Sequence, residues 1–184
     1  MTIEADAGLV EPISLPVPGV AMYDVELTTA PAKVSVRYST SVRVNHLSDD
    51  IGARMDELYK GVSEAGLHPC GPPSIIYRER PATECPMAIE LDVPVAEARR
   101  ATSEGLAGTG MRLHASSTQL RVHTIHRGPY QRLGAAHLAL NEWLAANRHF
   151  RATGPHRETY LLGPGDAQAP DEYRTDVSVP VGVA

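Results

Sequence analysis

The segment Gly71-Pro72-Pro73-Ser74-Ile75-Ile76-Tyr77 gives the clearest indication of the fold. It returns in the second half of the chain as Gly154-Pro155-His156-Arg157-Glu158-Thr159-Tyr160, with glycine, proline and tyrosine in register. A second anchor follows each copy, since Pro94 lies in an Asp-Val-Pro-Val segment and Pro180 in a Ser-Val-Pro-Val segment. Two matched anchors in each half predict an internal duplication.

The pattern of apolar residues around these anchors predicts the same order of elements in both halves. Alternation with period two indicates a strand, and apolar residues spaced by three and four indicate a helix. In the first half we expect strands in 23–27 and 34–38, a helix from Leu47 to Ala65 capped by Ser48 and ended by Gly66, and strands in 75–77 and 87–95. In the second half we expect a strand in 111–126 and strands in 158–162 and 173–181. Between them we expect a helix after Gly128-Pro129 with an inner stripe of Leu133, His137, Leu140 and Leu144.

The repeated strand–helix–strand–strand unit predicts a single α+β domain with pseudo-two-fold symmetry. We expect residues 1–20 to form an irregular lead-in and residues 21–184 to form the domain, with repeats at about 22–96 and 111–182. A junction between two halves is a place where ligand clefts tend to form. The sequence therefore predicts a ligand cleft between the repeats.

The composition argues against several classes of partner. A net charge of −5 without a basic stripe argues against direct binding of nucleic acid. No apolar run reaches the length of a membrane span, and the N-terminus has no signal-peptide pattern. The cysteines, Cys70 and Cys85, have no metal-binding spacing, and free thiols are favoured over a bridge in a chain without a secretion signal. We therefore expect a cytoplasmic protein with no membrane partner.

The eight histidines do not suggest a metal centre. They are scattered, without an HExxH or similar pair, and no glycine-rich phosphate loop or nucleophile elbow is present. The sequence therefore predicts neither a metal nor a cofactor.

Several short motifs, taken in order, resemble those of the GyrI-like effector-binding domain family. They are the Tyr-x-Val-x-Leu opening at Tyr23, the Gly-Pro…Ile-Tyr strand ending at Tyr77, His126-Arg127-Gly128-Pro129-Tyr130 followed by Leu133 and Trp143, Gly154-Pro155-x-x-Glu158-x-Tyr160, and Thr175-Asp176-Val177-x-Val179-Pro180-Val181. The resemblance implies two repeats that form a curved antiparallel sheet with two helices. It also implies a ligand cleft lined by aromatic residues around one acid, which maps onto Glu158. Because only about 20 residues precede the domain, we expect a stand-alone member without the helix-turn-helix of the regulator members.

Glu158 is the strongest candidate for a functional residue. In an alternating strand His156, Glu158 and Tyr160 share one face. A carboxylate beside a tyrosine ring suits a lipophilic cation, since the ring adds cation–π attraction. The structural alternative is an exposed glutamate paired with Arg157 or with a basic residue on a neighbouring strand, because glutamate is seldom buried. The family resemblance favours the cleft.

Aromatic residues make up only 5% of the chain, so their positions are informative. The residues that we expect to bind ligand with Glu158 are Tyr38, Tyr77, Tyr130, Tyr160, Tyr173 and Trp143, with His126 at the border of the cleft. A core position is the alternative for Trp143. The first repeat carries Ile75 where the second carries Glu158, so we expect the two halves to offer unequal charged sites.

Three functions are compatible with these residues. The leading hypothesis is capture or sensing of amphipathic, aromatic and often cationic small molecules. The second is a hydrolase, since some stand-alone family members resemble enzymes that add water across the strained cyclopropane of DNA-alkylating compounds. Glu158, with a pKa raised by burial, would then be the acid or base, with Tyr160 or Tyr130 polarising the substrate. The third is a gyrase-inhibiting interaction module, which the exposed acids at 49–50, 56–57 and 171–172 weakly permit.

Overall fold

A computed structural model of the chain describes residues 13–14, 23–78, 86–96 and 105–184. The expected lead-in of residues 1–20 therefore lies outside the described residues, except for Ile13–Ser14, which pair as a short strand with residues 26–27. Cys85 also lies outside them. Cys70 is an exposed free thiol.

The described residues form two α-helices and a set of antiparallel strands. The helices are α1 (Leu47–Glu64) and α2 (Leu133–Ala146), each preceded by a short 3-10 turn. The strands are β1 (Ile13–Ser14), β2 (Glu26–Ala30), β3 (Lys33–Val42), β4 (His68–Pro69), β5 (Ser74–Tyr77), β6 (Met87–Ala96), β7 (Met111–Ser116), β8 (Gln119–Arg127), β9 (Phe150–Ala152), β10 (Arg157–Leu162) and β11 (Arg174–Val183).

The order of the strands in the sheet shows the duplication directly. It runs β1-β2-β8-β11-β10-β5-β6-β3-β7, with β5 and β10 paired at the centre. From this seam the order β5-β6-β3 on one side matches β10-β11-β8 on the other. The short strands β4 and β9 join β6 and β11 at matching places. The predicted α+β fold with pseudo-two-fold symmetry is confirmed.

The sheet curls into a half-barrel because one long ribbon links its two ends. Strands β2 and β3 are consecutive in the chain, yet β2 pairs with β8 at one end and β3 with β7 at the other. Pro31 interrupts this ribbon, as its missing N–H predicts. The predicted single strand over 111–126 is likewise two strands, since residues 117–118 lie opposite the break at residues 31–32.

The sequence anchors of each half contact one another. A Cβ atom built on Gly71 would lie 3.4 Å from Cγ of Pro94, and one on Gly154 would lie 2.8 Å from Cγ of Pro180. The residue before each glycine also donates its backbone N–H to the carbonyl of the matching proline, over 2.9 Å in both halves. Glycine and proline therefore recur together because each glycine lets the strand connection pack against the proline ring.

Each helix covers one half of the sheet. Helix α1 packs Leu58 and Val62 into a core formed with β3, β5 and β6, and α2 packs Leu140 and Trp143 into a core formed with β8 and β11. Neither helix is long and apolar enough to cross a membrane, and no other helix of the described part is.

The start of α1 differs from the predicted capping pattern. His46 occupies the N-cap position and no side chain caps the helix, so the predicted cap at Ser48 is wrong. The side chain of Asp50 contacts Arg43 instead, accepting its backbone N–H over 2.9 Å and its guanidinium over 2.6 Å. Gly66 follows the helix with φ at +70°, which explains the helix end that the sequence predicts there.

The face of the sheet opposite α1 holds a buried ionic cluster. Asp92, on β6, is fully buried and contacts the cationic groups of Lys33, Arg37 and Arg157 at 2.7–3.0 Å. Glu90, two residues earlier on the same face, pairs with Arg37, Arg78 and Arg112. Because Arg157 belongs to the second repeat, its ion pair with Asp92 joins the two halves across the central seam.

Candidate functional site

A cleft of about 1670 Å³ lies between α1 and α2, above the central strands. Its walls and floor combine apolar, aromatic and a few charged side chains. The lining includes Ile51, Met55, Asp56 and Tyr59 of α1, Tyr77 and Arg78 at the end of β5, Tyr130, Leu133, His137 and Asn141 on α2 and the turn before it, His156, Glu158 and Tyr160 around β10, and Gly163, Asp166 and Tyr173. The predicted cleft between the repeats is therefore present.

Glu158 lies in the floor of this cleft and is only 4% exposed. One carboxylate oxygen, Oε2, accepts hydrogen bonds from the hydroxyls of Tyr77 and Tyr160, each over 2.7 Å. The other, Oε1, lies 2.7 Å from Nε2 of His137. The first repeat thus contributes a donor, Tyr77, to the acid of the second. The alternative of an exposed glutamate paired with Arg157 is wrong, since Arg157 faces Asp92 on the other side of the sheet.

The hydrogen bonds determine the charge state of Glu158. Burial raises the pKa of this carboxyl, but the bonds from His137, Tyr77 and Tyr160 together lower it below the usual value of 4.5. The expectation that burial raises its pKa overall is therefore wrong, because three donors outweigh desolvation. Glu158 is an ionised carboxylate at neutral pH.

The pKa values of the two tyrosine hydroxyls that donate to Glu158 are raised, whereas that of the carboxyl is lowered. Burial and the neighbouring charge of Glu158 hold the pKa of Tyr77 and that of Tyr160 well above the usual value of 10.0. Both hydroxyls therefore keep their protons and donate to the carboxylate over the whole neutral range.

A second histidine extends the network away from Glu158. Nδ1 of His137 lies 2.9 Å from Nδ1 of His156, which precedes β10. The ring of Tyr77 packs edge-on against His137, with centroids 6.0 Å apart. The imidazole of His137 is thereby fixed between a carboxylate, an aromatic ring and another imidazole.

Three tyrosine rings form an aromatic wall beside the carboxylate. The ring of Tyr130 lies 5.2 Å from that of Tyr160 and 4.9 Å from that of Tyr173, measured between centroids. Burial, with the nearby Tyr173 and Glu158, raises the pKa of Tyr130 to about 12. A Cβ atom on Gly163 would lie 2.6 Å from the Tyr130 hydroxyl, so glycine is required there for this ring position.

Further charges line the cleft on α1 and on the connection after β10. Asp56 and Asp166 add two carboxylates, and Arg78 adds one guanidinium. The Arg78 guanidinium is already paired with Glu90. The charged side chains that line the cleft are therefore predominantly acidic.

The structure places five of the predicted ligand-binding residues on the cleft and three away from it. Glu158, Tyr160, Tyr77, Tyr130 and Tyr173 line it. Trp143, Tyr38 and His126 are absent from its lining, which corrects their predicted positions.

The three corrected residues have other partners. Trp143 is fully buried and packs on Phe150 in the second core, because α2 turns this face to the sheet. The hydroxyl of Tyr38 donates to Glu57 over 2.9 Å near the surface. His126 is buried between the Tyr23 hydroxyl, at 2.7 Å from its Nδ1, and the backbone.

His137 is the functional candidate that the sequence analysis missed. Its spacing from Leu133 and Leu140 placed it in the apolar stripe of α2. The buried stripe instead runs through Leu133, Ala136, Leu140 and Trp143, and His137 lies at its edge above Glu158. A histidine in an otherwise apolar stripe, facing a strand with a candidate acid, was the available signal. Among the described residues no group of three or more His, Cys, Asp or Glu is arranged to hold a metal ion.

Comparison with solved structures shows the fold in other proteins. The C-terminal domain of EcmrR has a TM-score of 0.73 and 22% identity, over 89% of this chain and 99% of that chain. A hydrolase from Listeria innocua has a TM-score of 0.62 and 12% identity, over 86% and 91%. SAV2435 bound to tetraphenylphosphonium has a TM-score of 0.53 and 12% identity, over 88% and 94%. No curated protein sequence matches the chain.

Comparison with protein families gives a match that spans both repeats. The GyrI-like small molecule binding domain matches residues 24–182. This range contains both helices, the central strands and all the side chains that line the cleft. The chain belongs to the GyrI-like small molecule binding domain family.

Proposed function

We propose that this protein captures lipophilic aromatic cations in the cleft, with Glu158 as the charge partner. The observation that carries the proposal is a buried, ionised carboxylate beneath tyrosine rings. A buried charge is costly unless it is compensated. Here two tyrosine hydroxyls and one imidazole hold the carboxylate, and no Lys or Arg among the described residues forms an ion pair with Glu158. A cationic ligand would supply the missing positive charge.

The magnitude of this attraction supports selection of cations over neutral analogues. Two unit charges about 6 Å apart attract by roughly 3 kcal/mol at an effective dielectric constant of about 20. That energy corresponds to roughly 100-fold in affinity. Cation–π contacts with the rings of Tyr130 and Tyr160 would add about 0.5–2 kcal/mol.

The shape of the cleft supports a bulky rather than a small cation. A volume of about 1670 Å³ exceeds what a drug-sized ligand needs. The α1 wall is apolar at Ile51 and Met55, and methionine adapts to ligands of different shape. The structural neighbour SAV2435 binds tetraphenylphosphonium, a cation of this class, although at 12% identity.

The proposal is tested by calorimetry with tetraphenylphosphonium and with triphenylphosphine oxide, an uncharged aryl compound. We expect Glu158→Gln to weaken the cation by about 10- to 100-fold and to change the neutral compound by less than about threefold. Glu64→Gln, an exposed site on α1, is the matched control and should change neither. Equal losses for both compounds in Glu158→Gln would contradict charge recognition.

A second candidate function, hydrolysis of strained cyclopropane-containing compounds, is favoured by the charge state of Glu158. An ionised carboxylate can accept a proton from water, and among the described residues Oε1 has a single hydrogen-bond partner, His137. The water oxygen would bond to the ring carbon as the strained C–C bond breaks. The electron pair of that broken bond would pass to the conjugated carbonyl, polarised by a tyrosine hydroxyl, and the resulting oxyanion would take the proton back from Glu158. A neighbour of the same fold is described as a hydrolase, at 12% identity.

Mass spectrometry after incubation separates capture from hydrolysis. A compound whose mass increases by one water, with the gain lost in Glu158→Gln, would indicate an enzyme. A compound that the protein retains and that is recovered unchanged would indicate capture.

The gyrase-inhibitor alternative, the exclusion of nucleic acid, the repeat boundaries and the cytoplasmic location remain predictions from the sequence.

A further inference from the structure

We infer that the ionic cluster around Asp92 and Glu90 is a second binding site, which takes a small multivalent oxyanion of the phosphate class. This cluster lies on the face of the sheet opposite the cleft, since Arg157 contacts Asp92 there while Glu158 faces the cleft. The inference goes beyond the proposed function, because it concerns another face of the protein and a ligand of the opposite charge.

The ionic cluster holds more positive than negative charge. Five cationic side chains surround its two carboxylates, and none of the five pairs with any other carboxylate among the described residues. The five are Lys33, Arg37, Arg78, Arg112 and Arg157. This local excess of positive charge occurs in a chain whose net charge is −5. A negative ligand would balance it.

Asp92 cannot accept further hydrogen bonds from the cations that surround it. Its Oδ1 accepts from the hydroxyl of Ser35 over 2.6 Å and from Nε of Arg37 over 3.0 Å. Its Oδ2 accepts from Nζ of Lys33 over 2.7 Å and from Nη1 of Arg157 over 2.9 Å. A carboxylate has about four acceptor sites, and a guanidinium has five N–H groups. The remaining N–H groups of the two arginines therefore need another acceptor.

Glu90 is shared in the same way by three guanidinium groups. Its Oε1 accepts from Arg112 and from the hydroxyl of Ser39, the latter over 3.1 Å. Its Oε2 accepts from Arg78 and lies 3.6 Å from Nη1 of Arg37. One carboxylate cannot satisfy the N–H groups of three arginines, so this end of the cluster also has donors to spare.

The spare donors of the cluster are open to solvent. Among the described residues the buried side-chain nitrogens without a partner belong to Arg121, His123 and Trp143, and none belongs to the cluster. The side chain of Arg37 is 10% exposed, whereas that of Arg112 is 48% exposed. The cluster thus has a buried base and an accessible rim. Because its carboxylates already fix the buried arginine, an anion can bind with little loss of side-chain entropy.

Neighbouring ionisable groups respond to the positive charge of the cluster. Burial lowers the pKa of Lys33, and the charges of Arg157 and Arg37 lower it further against the effect of Asp92. Burial and the charge of Arg37 likewise lower the pKa of His114, on β7. An oxyanion is the fitting ligand, because the planar fork of a guanidinium binds phosphate oxygens in pairs.

The second repeat has no such excess at the corresponding place. Asp176 takes the position of Glu90 there, since each precedes its matched proline by four residues. Asp176 pairs with one guanidinium, that of Arg121, over 2.8 Å. Glu26 adds a second carboxylate, and His123 lies within 3.7 Å of both acids. The corresponding face of the second repeat therefore provides a matched control.

The experiment is calorimetry of the full chain with pyrophosphate in a buffer without phosphate, at a constant ionic strength of about 0.1 M. We expect saturable one-to-one binding of pyrophosphate and no saturable binding of acetate, which carries one negative charge. Arg112→Gln and Lys33→Gln each remove one cation from the accessible part of the cluster. Each should weaken pyrophosphate by about 5- to 20-fold.

Two control variants separate this site from the rest of the protein. Arg121→Gln, on the same face in the second repeat, and Glu158→Gln, in the cleft, should bind pyrophosphate within about twofold of the unaltered protein, because salt screens distant charges. Circular dichroism without pyrophosphate checks that each variant is folded.

Three results would overturn the inference. One is the absence of saturable pyrophosphate binding by the unaltered protein, and another is an equal loss of affinity in Arg112→Gln and Arg121→Gln. The third is binding of a short DNA duplex as tightly as pyrophosphate, which would contradict a site for small molecules. None of these results bears on the capture of cations by the cleft.

Discussion

His137 and Glu158 join helix α2 to strand β10 through a hydrogen bond of 2.7 Å from Nε2 to Oε1. Two tyrosine hydroxyls complete the set of donors on the carboxylate. The acid of the cleft is therefore held in one orientation before any ligand arrives, and little free energy is needed to position it on binding.

Removal of the Tyr77 hydroxyl should raise the pKa of Glu158. In Tyr77→Phe burial still raises that pKa, while one of the three hydrogen bonds that lower it is lost. A carbon-13 NMR titration of the glutamate carboxyls, with Glu158→Gln to assign the signal, measures the pKa, which we expect to be higher than in the unaltered protein. Tyr59→Phe alters another ring of the cleft, on α1, and should leave the pKa of Glu158 unchanged. An unchanged pKa in Tyr77→Phe would mean that this hydroxyl is not needed to keep the acid ionised.

The position of the Tyr130 ring should depend on the absence of a side chain at residue 163. Gly163→Ala places a methyl group 2.6 Å from the Tyr130 hydroxyl, so the ring must move and the aromatic wall opens. We expect tetraphenylphosphonium affinity to fall by about 3- to 30-fold, as measured by calorimetry.

A double-mutant cycle identifies the cause of that loss. Tyr130→Phe removes the hydroxyl, so adding Gly163→Ala to it should cost much less than in the unaltered protein. Glu64→Gln, at an exposed position of α1 outside the lining of the cleft, is the control and should leave the affinity unchanged. Equal costs of Gly163→Ala in both backgrounds would rule out the contact as the reason.

Much of the fold was predictable because the sequence repeats its own anchors. Gly71 contacts Pro94 and Gly154 contacts Pro180, so the same two residue types recur at corresponding positions of the two repeats. The pairing of β5 with β10 has no such trace, since the register between distant strands depends on the assembled sheet. The duplication therefore predicted the two halves but not the strands at which they join.

The candidate site was predictable only in part, for a related reason. Glu158, Tyr77 and Tyr160 sit in the repeated motif, and alternation places the last with the acid on one face. Whether Trp143 or His137 faces the cleft depends on the rotation of α2 about its axis. That rotation is set by Ala136 and Ala139, which pack on the sheet. Because both side chains are small, a search for the spacing of large apolar residues does not identify them as the buried face.

Trp143→Phe should lower stability without affecting ligand binding. The indole is fully buried in the second core, and its Nε1 has no hydrogen-bond partner among the described residues. The smaller ring leaves a cavity, and we expect a loss of about 1–3 kcal/mol in the free energy of unfolding. Chemical denaturation measures this loss, and calorimetry should give a tetraphenylphosphonium affinity within about twofold of the unaltered protein. A larger loss of affinity would return Trp143 to the ligand-binding residues.

Asp92→Asn should destabilise the protein and remove part of its sensitivity to acid. The substitution leaves Lys33 and Arg157 without their buried counter-charge, which costs about 3–5 kcal/mol in the free energy of unfolding. Burial raises the pKa of Asp92, but the charges of Arg157 and Lys33 and its hydrogen bonds lower it below 3.8 overall. A carboxyl with a depressed pKa in the folded state contributes stability above its unfolded pKa, and that contribution is lost as the pH falls towards the folded value. Urea denaturation at pH 7 and at steps from pH 5 to 2.5 should therefore show that the free energy of unfolding falls less steeply with acid in Asp92→Asn than in the unaltered protein.

Asp171→Asn, at an exposed position, is the control and should show the same dependence of the free energy of unfolding on pH as the unaltered protein. Parallel curves for Asp92→Asn and the unaltered protein would show that the buried cluster does not couple protonation to folding.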